Sequence, residues 1–75
     1  MRKRYDDDES RVCERVKAIR HARGKSQIEV AQAINMNRTS YVLMEQGKRK
    51  VMALELTALC EWYGVPYSDL FEVVK

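Results

Sequence analysis

The side chains able to do chemistry cluster between Ser26 and Gly47, in the run SQIEVAQAINMNRTSYVLMEQG. Gln27 follows a Ser that can cap a helix, and Arg38, Thr39 and Ser40 follow an Asn that can cap another. A basic loop, Lys48-Arg49-Lys50, comes directly after. Amide, guanidinium and hydroxyl groups at helix starts suit recognition of anions and of hydrogen-bonding edges. They do not suit bond-making. His21 is the only histidine and has no evident nucleophile partner. No Gly-rich phosphate loop and no metal-ligand spacing occurs, so neither an enzyme nor a metal or other cofactor is expected.

The elements that must hold these groups are short helices. Residues 1–9 are charged and lack periodicity, and read as a disordered charged tail ahead of a domain spanning 10–75. Arg2-Lys3-Arg4 has the composition of an arm for a minor groove, but Asp6-Asp7-Asp8-Glu9 beside it would repel phosphate, so the tail reading is preferred. Ser10 caps a first helix over 11–23, with Val12, Val16 and Ile19 as its buried stripe and Gly24 as its stop. Ser26 and Glu29 form a capping box for a second helix over 27–34, with Val30, Ala31 and Ile34 inward. Asn35 ends it, and Asn37 caps a third helix over 38–46 that stops at Gly47. Spacing turns Tyr41 and Met44 inward, Arg38, Thr39 and Val42 outward, and leaves Leu43 at the margin. A fourth helix over 53–63 ends at Gly64; Val65 precedes Pro66 and is expected to be non-helical. A fifth over 67–73 closes the chain with Leu70 and Phe71 as plugs. Five short helices and no strand pattern give an all-α domain with a helix-turn-helix at helices two and three.

Seventy-five residues make one domain with a marginal core, and a helical bundle or a second subunit would help it. No apolar run approaches the roughly 18 to 20 residues of a membrane span, and no secretory signal opens the chain, which points to the cytosol. Cys13 and Cys60 then read as reduced core side chains. Residues 11–50 carry ten Lys/Arg against three acids, whereas 51–75 carry one Lys against four acids. The basic surface therefore coincides with the helix-turn-helix, as a phosphate-facing side requires.

At this point the chain resembles the Cro/C1-type family, also called XRE or lambda-repressor-like. The resemblance is carried by Arg15-Val16, Arg20, Gly24, Ser26-Gln27, Val30-Ala31, Asn35, Tyr41, Glu45-Gln46-Gly47, Tyr63-Gly64-Val65 and Leu70-Phe71, across residues 11–71. It implies a compact five-helix domain, usually homodimeric, that regulates transcription at short palindromic operators in bacteria or phage. It further implies that Gln27 contacts the DNA backbone, that Arg38 and Thr39 open the recognition helix, and that Arg20 and Glu45 form a partly buried salt bridge. The departures are Asn35 for a Gly, Tyr41 for an aliphatic residue, Val42 and Leu43 for polar base readers, Lys25 for an apolar residue and Val51 for a Pro.

The expected function is thus a sequence-specific, double-stranded-DNA-binding regulator, with no membrane and no small-molecule ligand. Its DNA-facing set is Gln27, Asn37, Arg38, Thr39, Ser40, Val42, Leu43, Lys48, Arg49 and Lys50. Arg38 can make two parallel bonds to guanine O6 and N7. Thr39 and Ser40 suit phosphate or a thymine methyl; Val42 suits the methyl; Leu43 suits either the methyl or a core gap. The basic loop supplies attraction without sequence. On the fourth helix Leu56, Leu59, Cys60 and Tyr63 make a core face, and Leu54, Ala58 and Trp62 a second apolar face. With Tyr67 and Phe71 the second face reads as a dimer interface, which would set two recognition helices about 34 Å apart. The competing reading is a protein-interaction module of the same fold, such as an antitoxin binding its toxin.

Overall fold

The computed structural model describes the backbone of residues 4–70 and the side chains of residues 12–70. Five helices follow in order: α1 Arg4–Ala22, α2 Gln27–Ala33, α3 Arg38–Glu45, α4 Ala53–Tyr63 and α5 Tyr67–Leu70. No strand occurs among the described residues. α2 packs on α3, α1 on both α3 and α5, and α4 on α5.

One boundary differs from the sequence expectation. The helical backbone of α1 starts at Arg4 rather than near residue 11. The physical reason lies in the charge order. Asp6, Asp7, Asp8 and Glu9 fall in the first turns, where unpaired backbone N–H groups favour negative charge. The apolar periodicity used to place the helix reports burial, and a helix can run past the core without it. The basic triplet Arg2-Lys3-Arg4, as side chains, lies outside the described residues, and so do Phe71 and the expected end of the fifth helix.

The turn between α2 and α3 sets the reading geometry. The Asn35 N–H donates to the Gln32 carbonyl at 3.1 Å and the Met36 N–H to the Ala31 carbonyl at 2.8 Å. This paired pattern closes a helix C-terminus only if the residue after the cap is left-handed, and Asn35 has φ 58°. Asn accepts that conformation better than other side-chain-bearing residues. Met36 then packs against the core, so the turn is pinned from inside.

The core takes Val12 and Val16 from α1, Val30 and Ala31 from α2, Tyr41 and Met44 from α3, Leu56, Leu59, Cys60 and Tyr63 from α4, and Leu70 from α5. Cys13 and Cys60 are both buried and are not bridged. α4 therefore buries the face that spacing assigned inward, and leaves Leu54 and Trp62 exposed.

Candidate nucleic-acid interface

With Tyr41 and Met44 fully buried, the helical period turns Arg38, Thr39, Val42, Leu43 and Gln46 outward. Those five residues line a shallow open concavity along α3. Arg38 and Thr39 are exposed, Ser40 and Val42 half-buried, and Leu43 is 37% exposed. The Arg38 side chain makes no ion pair or hydrogen bond among the described residues. It is a cation on an open face. Gln46 was not singled out from the sequence, although it follows Arg38 by two helical turns and Val42 by one.

Asn37 has a different task from its neighbours. Its Oδ1 accepts from the Thr39 N–H at 2.9 Å and the Ser40 N–H at 3.3 Å, so it caps α3. Ser26 Oγ likewise accepts from the Glu29 N–H at 3.1 Å while Glu29 Oε1 accepts from the Ser26 N–H at 2.9 Å. These N–H groups are held by side chains, which leaves fewer donors for a phosphate than bare helix ends would offer.

Beneath the face lies a shared carboxylate. Arg20 Nε donates to Glu45 Oε2 at 2.7 Å and its Nη2 to Oε1 at 3.0 Å, a two-point pair between the ends of α1 and α3. Arg20 Nη1 also donates to the Lys25 carbonyl at 2.9 Å, fixing the loop that leads into α2. The Tyr41 hydroxyl donates to Glu45 Oε2, which is how a buried Tyr is accommodated where an aliphatic residue is usual. Gln27 Nε2 donates to Glu45 Oε1 at 3.1 Å. Burial pushes the Glu45 carboxyl up, but the bonds from Arg20, Tyr41 and Gln27 outweigh it and hold the group below the usual carboxylate range. The hydrogen bond to Glu45 raises Arg20 further above its ordinary value, against the opposing effect of burial. Burial and the bond to Glu45 raise Tyr41 well above its own.

The basic loop is not uniform. Arg49 makes a two-point pair with Glu55, Nη1 to Oε1 and Nη2 to Oε2 both at 2.8 Å. Glu55 Oε1 also accepts from the Met52 N–H at 3.0 Å, so the pair staples the loop to the start of α4. Lys48 and Lys50 are exposed. Two other cations serve packing as well. Arg15 Nε donates to the Asp69 carbonyl at 2.7 Å. Arg23 Nη1 donates to the Tyr63 carbonyl at 3.0 Å, with its guanidinium 5.6 Å from the Tyr63 ring centroid.

Of the residues assigned to a dimer face, Leu54 is 83% exposed, Trp62 41% and Tyr67 49%, and Ala58 is half-buried. Phe71 lies outside the described residues. Trp62 is partly covered within its own chain. The Lys25 ammonium stands 5.7 Å from its ring centroid, and the Tyr63 ring 5.0 Å away.

Two short helices joined by a pinned left-handed turn, the second carrying an open face with a lone cation, define a helix-turn-helix domain. The family described as a helix-turn-helix domain matches residues 12–72, most of the chain. The chain belongs to that family, in keeping with the Cro/C1-type resemblance of its motifs. No curated protein and no solved structure matches it. Membership points to DNA binding, in a family that is typically not enzymatic. Among the described residues no helix is long and apolar enough to cross a membrane, and no group of three His, Cys, Asp or Glu could hold a metal ion.

Proposed function

We propose that this chain is a sequence-specific, double-stranded-DNA-binding transcriptional regulator that acts in the cytoplasm as a homodimer on a short palindromic operator. The observation that carries the reading is the exposed α3 face, on which Arg38, without a partner among the described residues, stands beside Thr39, Val42, Leu43 and Gln46. The major groove admits an α-helix presenting such a face, and there Arg38 binds guanine through O6 and N7. Val42 and Leu43 offer apolar contact to a thymine methyl. Thr39, Ser40, Lys48 and Lys50 set position through phosphates, and Gln27 contacts the backbone from the start of α2. Exposed Leu54, Trp62 and Tyr67 support pairing of two copies, because apolar surface left in water by one chain favours association.

The test is selection of duplexes from a random library at moderate salt, followed by sequencing and by sedimentation of the bound and free protein. An enriched inverted repeat with half-sites about one helical turn apart is expected. Arg38→Ala should then relax one position per half-site, and Leu54→Lys should shift free protein toward monomer. Unenriched DNA overturns the reading. A second reading, capture of a protein partner on the same face, is favoured by the exposure of Leu43. It predicts an interaction that survives salt, whereas phosphate contacts weaken steeply with it.

A further inference from the structure

The Glu45 carboxylate accepts from three residues, and only one of them reaches the DNA side. Arg20 and Tyr41 are buried, whereas Gln27 is half-buried at the first position of α2. Only the NH2 end of an amide can approach a carboxylate, since its carbonyl oxygen would meet two acceptors. The 3.1 Å bond from Gln27 Nε2 to Glu45 Oε1 therefore fixes which end of the amide faces inward. It also fixes the rotamer, because Glu45 is itself immobilised by Arg20 at two points. The remaining N–H of Gln27 is left as the donor for an incoming phosphate oxygen.

We infer that Glu45 is a positioning residue for the DNA contact of Gln27, so that the end of α3 orients the first side chain of α2 before DNA arrives. The inference rests on the DNA-binding function proposed above. The energetic logic is preorganisation. A free Gln must freeze its rotamers on binding, and one held by a carboxylate has already done so. Unlike the ion pair itself, which would stabilise the fold whether or not DNA is bound, this role predicts that affinity and stability respond separately.

Two measurements on the full chain test it. The first needs no DNA. In amide-resolved NMR, the Nε2 proton of Gln27 bonded to Glu45 should be displaced downfield and protected from solvent exchange relative to the amide protons of exposed Gln32 and Gln46, which serve as internal references. A Gln27 amide that behaves like those two overturns the inference directly. The second is a binding cycle on the selected operator. Gln27→Met should weaken binding by about tenfold, the loss of one bond to a charged group. The paired change Arg20→Met with Glu45→Met, made in a Tyr41→Phe background so that no buried hydroxyl loses its acceptor, removes the acceptor and both buried charges together, which such a core can tolerate without unfolding. It should weaken binding by about fivefold through restored side-chain freedom. All three changes together should cost about tenfold rather than the product of the two, with a melting curve for each variant to show that it is folded. Losses that multiply, or a paired variant that binds like the wild type, overturn the positioning role while leaving operator recognition standing. Failure to enrich any operator overturns the proposed function instead.

Discussion

At the scale of single residues, Arg20 and Arg49 show why a basic side chain in the basic segment cannot be assigned by its charge. Arg20 lies in the basic segment, yet it is buried and held at two points by Glu45. Removing it strands a carboxylate away from water, which costs about 3 to 5 kcal/mol. Arg20→Ala should lower the melting midpoint by more than about 10 °C, since each kcal/mol moves a domain of this size by about 4 to 8 °C. Arg38→Ala should leave the midpoint in place and weaken operator binding; calorimetry beside a binding isotherm reads both. Arg49 is the second case. Its guanidinium is engaged by Glu55, so DNA gains little from it. Lys48→Ala should reduce the slope of log affinity against log salt by about 1. Arg49→Ala should change that slope by clearly less, and equal changes would mean that DNA displaces Glu55.

At the scale of elements, the α2–α3 turn decides the angle at which α3 is presented. Asn35 holds a left-handed backbone that both turn hydrogen bonds require. Glycine adopts it freely and alanine does not, so Asn35→Ala should destabilise by roughly 1 kcal/mol while Asn35→Gly is neutral or slightly stabilising. Urea unfolding of the pair would show it, and an unchanged midpoint for Asn35→Ala would mean that the turn relaxes instead. The position was legible in the sequence because a short helical pattern stopped at Asn with no Gly or Pro nearby. The start of α1 was not, because burial spacing locates only the part of a helix that touches the core.

At the scale of the molecule, the carboxylates link stability to pH. Glu45 stays below the ordinary range despite its burial; the bond from Arg49 does the same for Glu55, and the bond from the Ser26 backbone does so for Glu29. In the unfolded chain these groups titrate at about 4.3. Above that value they are ionised in both states and their contribution is complete. As pH falls through the lower folded values, protons bind the unfolded state first and stability is lost. Melting midpoints should hold steady from pH 7 to about 5 and then fall below about 4. Arg20→Met with Glu45→Met should flatten that fall, since Glu45 is the most deeply buried of the three; an unchanged acid slope would place the linkage elsewhere. Exposed Leu54, Trp62 and Tyr67 belong to this scale too; of these, Trp62 is met within its own chain by the Lys25 ammonium and the Tyr63 ring.

The sequence alone determined the helix count, the caps at Ser26 and Asn37, the turn at Asn35, the inward faces of α3 and α4, and the basic balance of residues 11–50. Each of these is a local or periodic property, written within a few residues and read without knowing what lies opposite. The tertiary structure decided the rest. It brought Arg20, Gln27 and Tyr41 onto one carboxylate, paired Arg49 with Glu55, laid Arg23 on Tyr63, and set Gln46 into the α3 concavity beside Arg38. Apart from Gln46, which caps the helix of Arg38, Tyr41, which lies one turn from Glu45, and Arg49, which lies six residues before Glu55, these pairings join residues that the packing of the helices brings together. The family resemblance already implied Arg20 with Glu45, whereas the partners of Gln27 and Arg23 follow from how α1, α2, α3 and α4 pack.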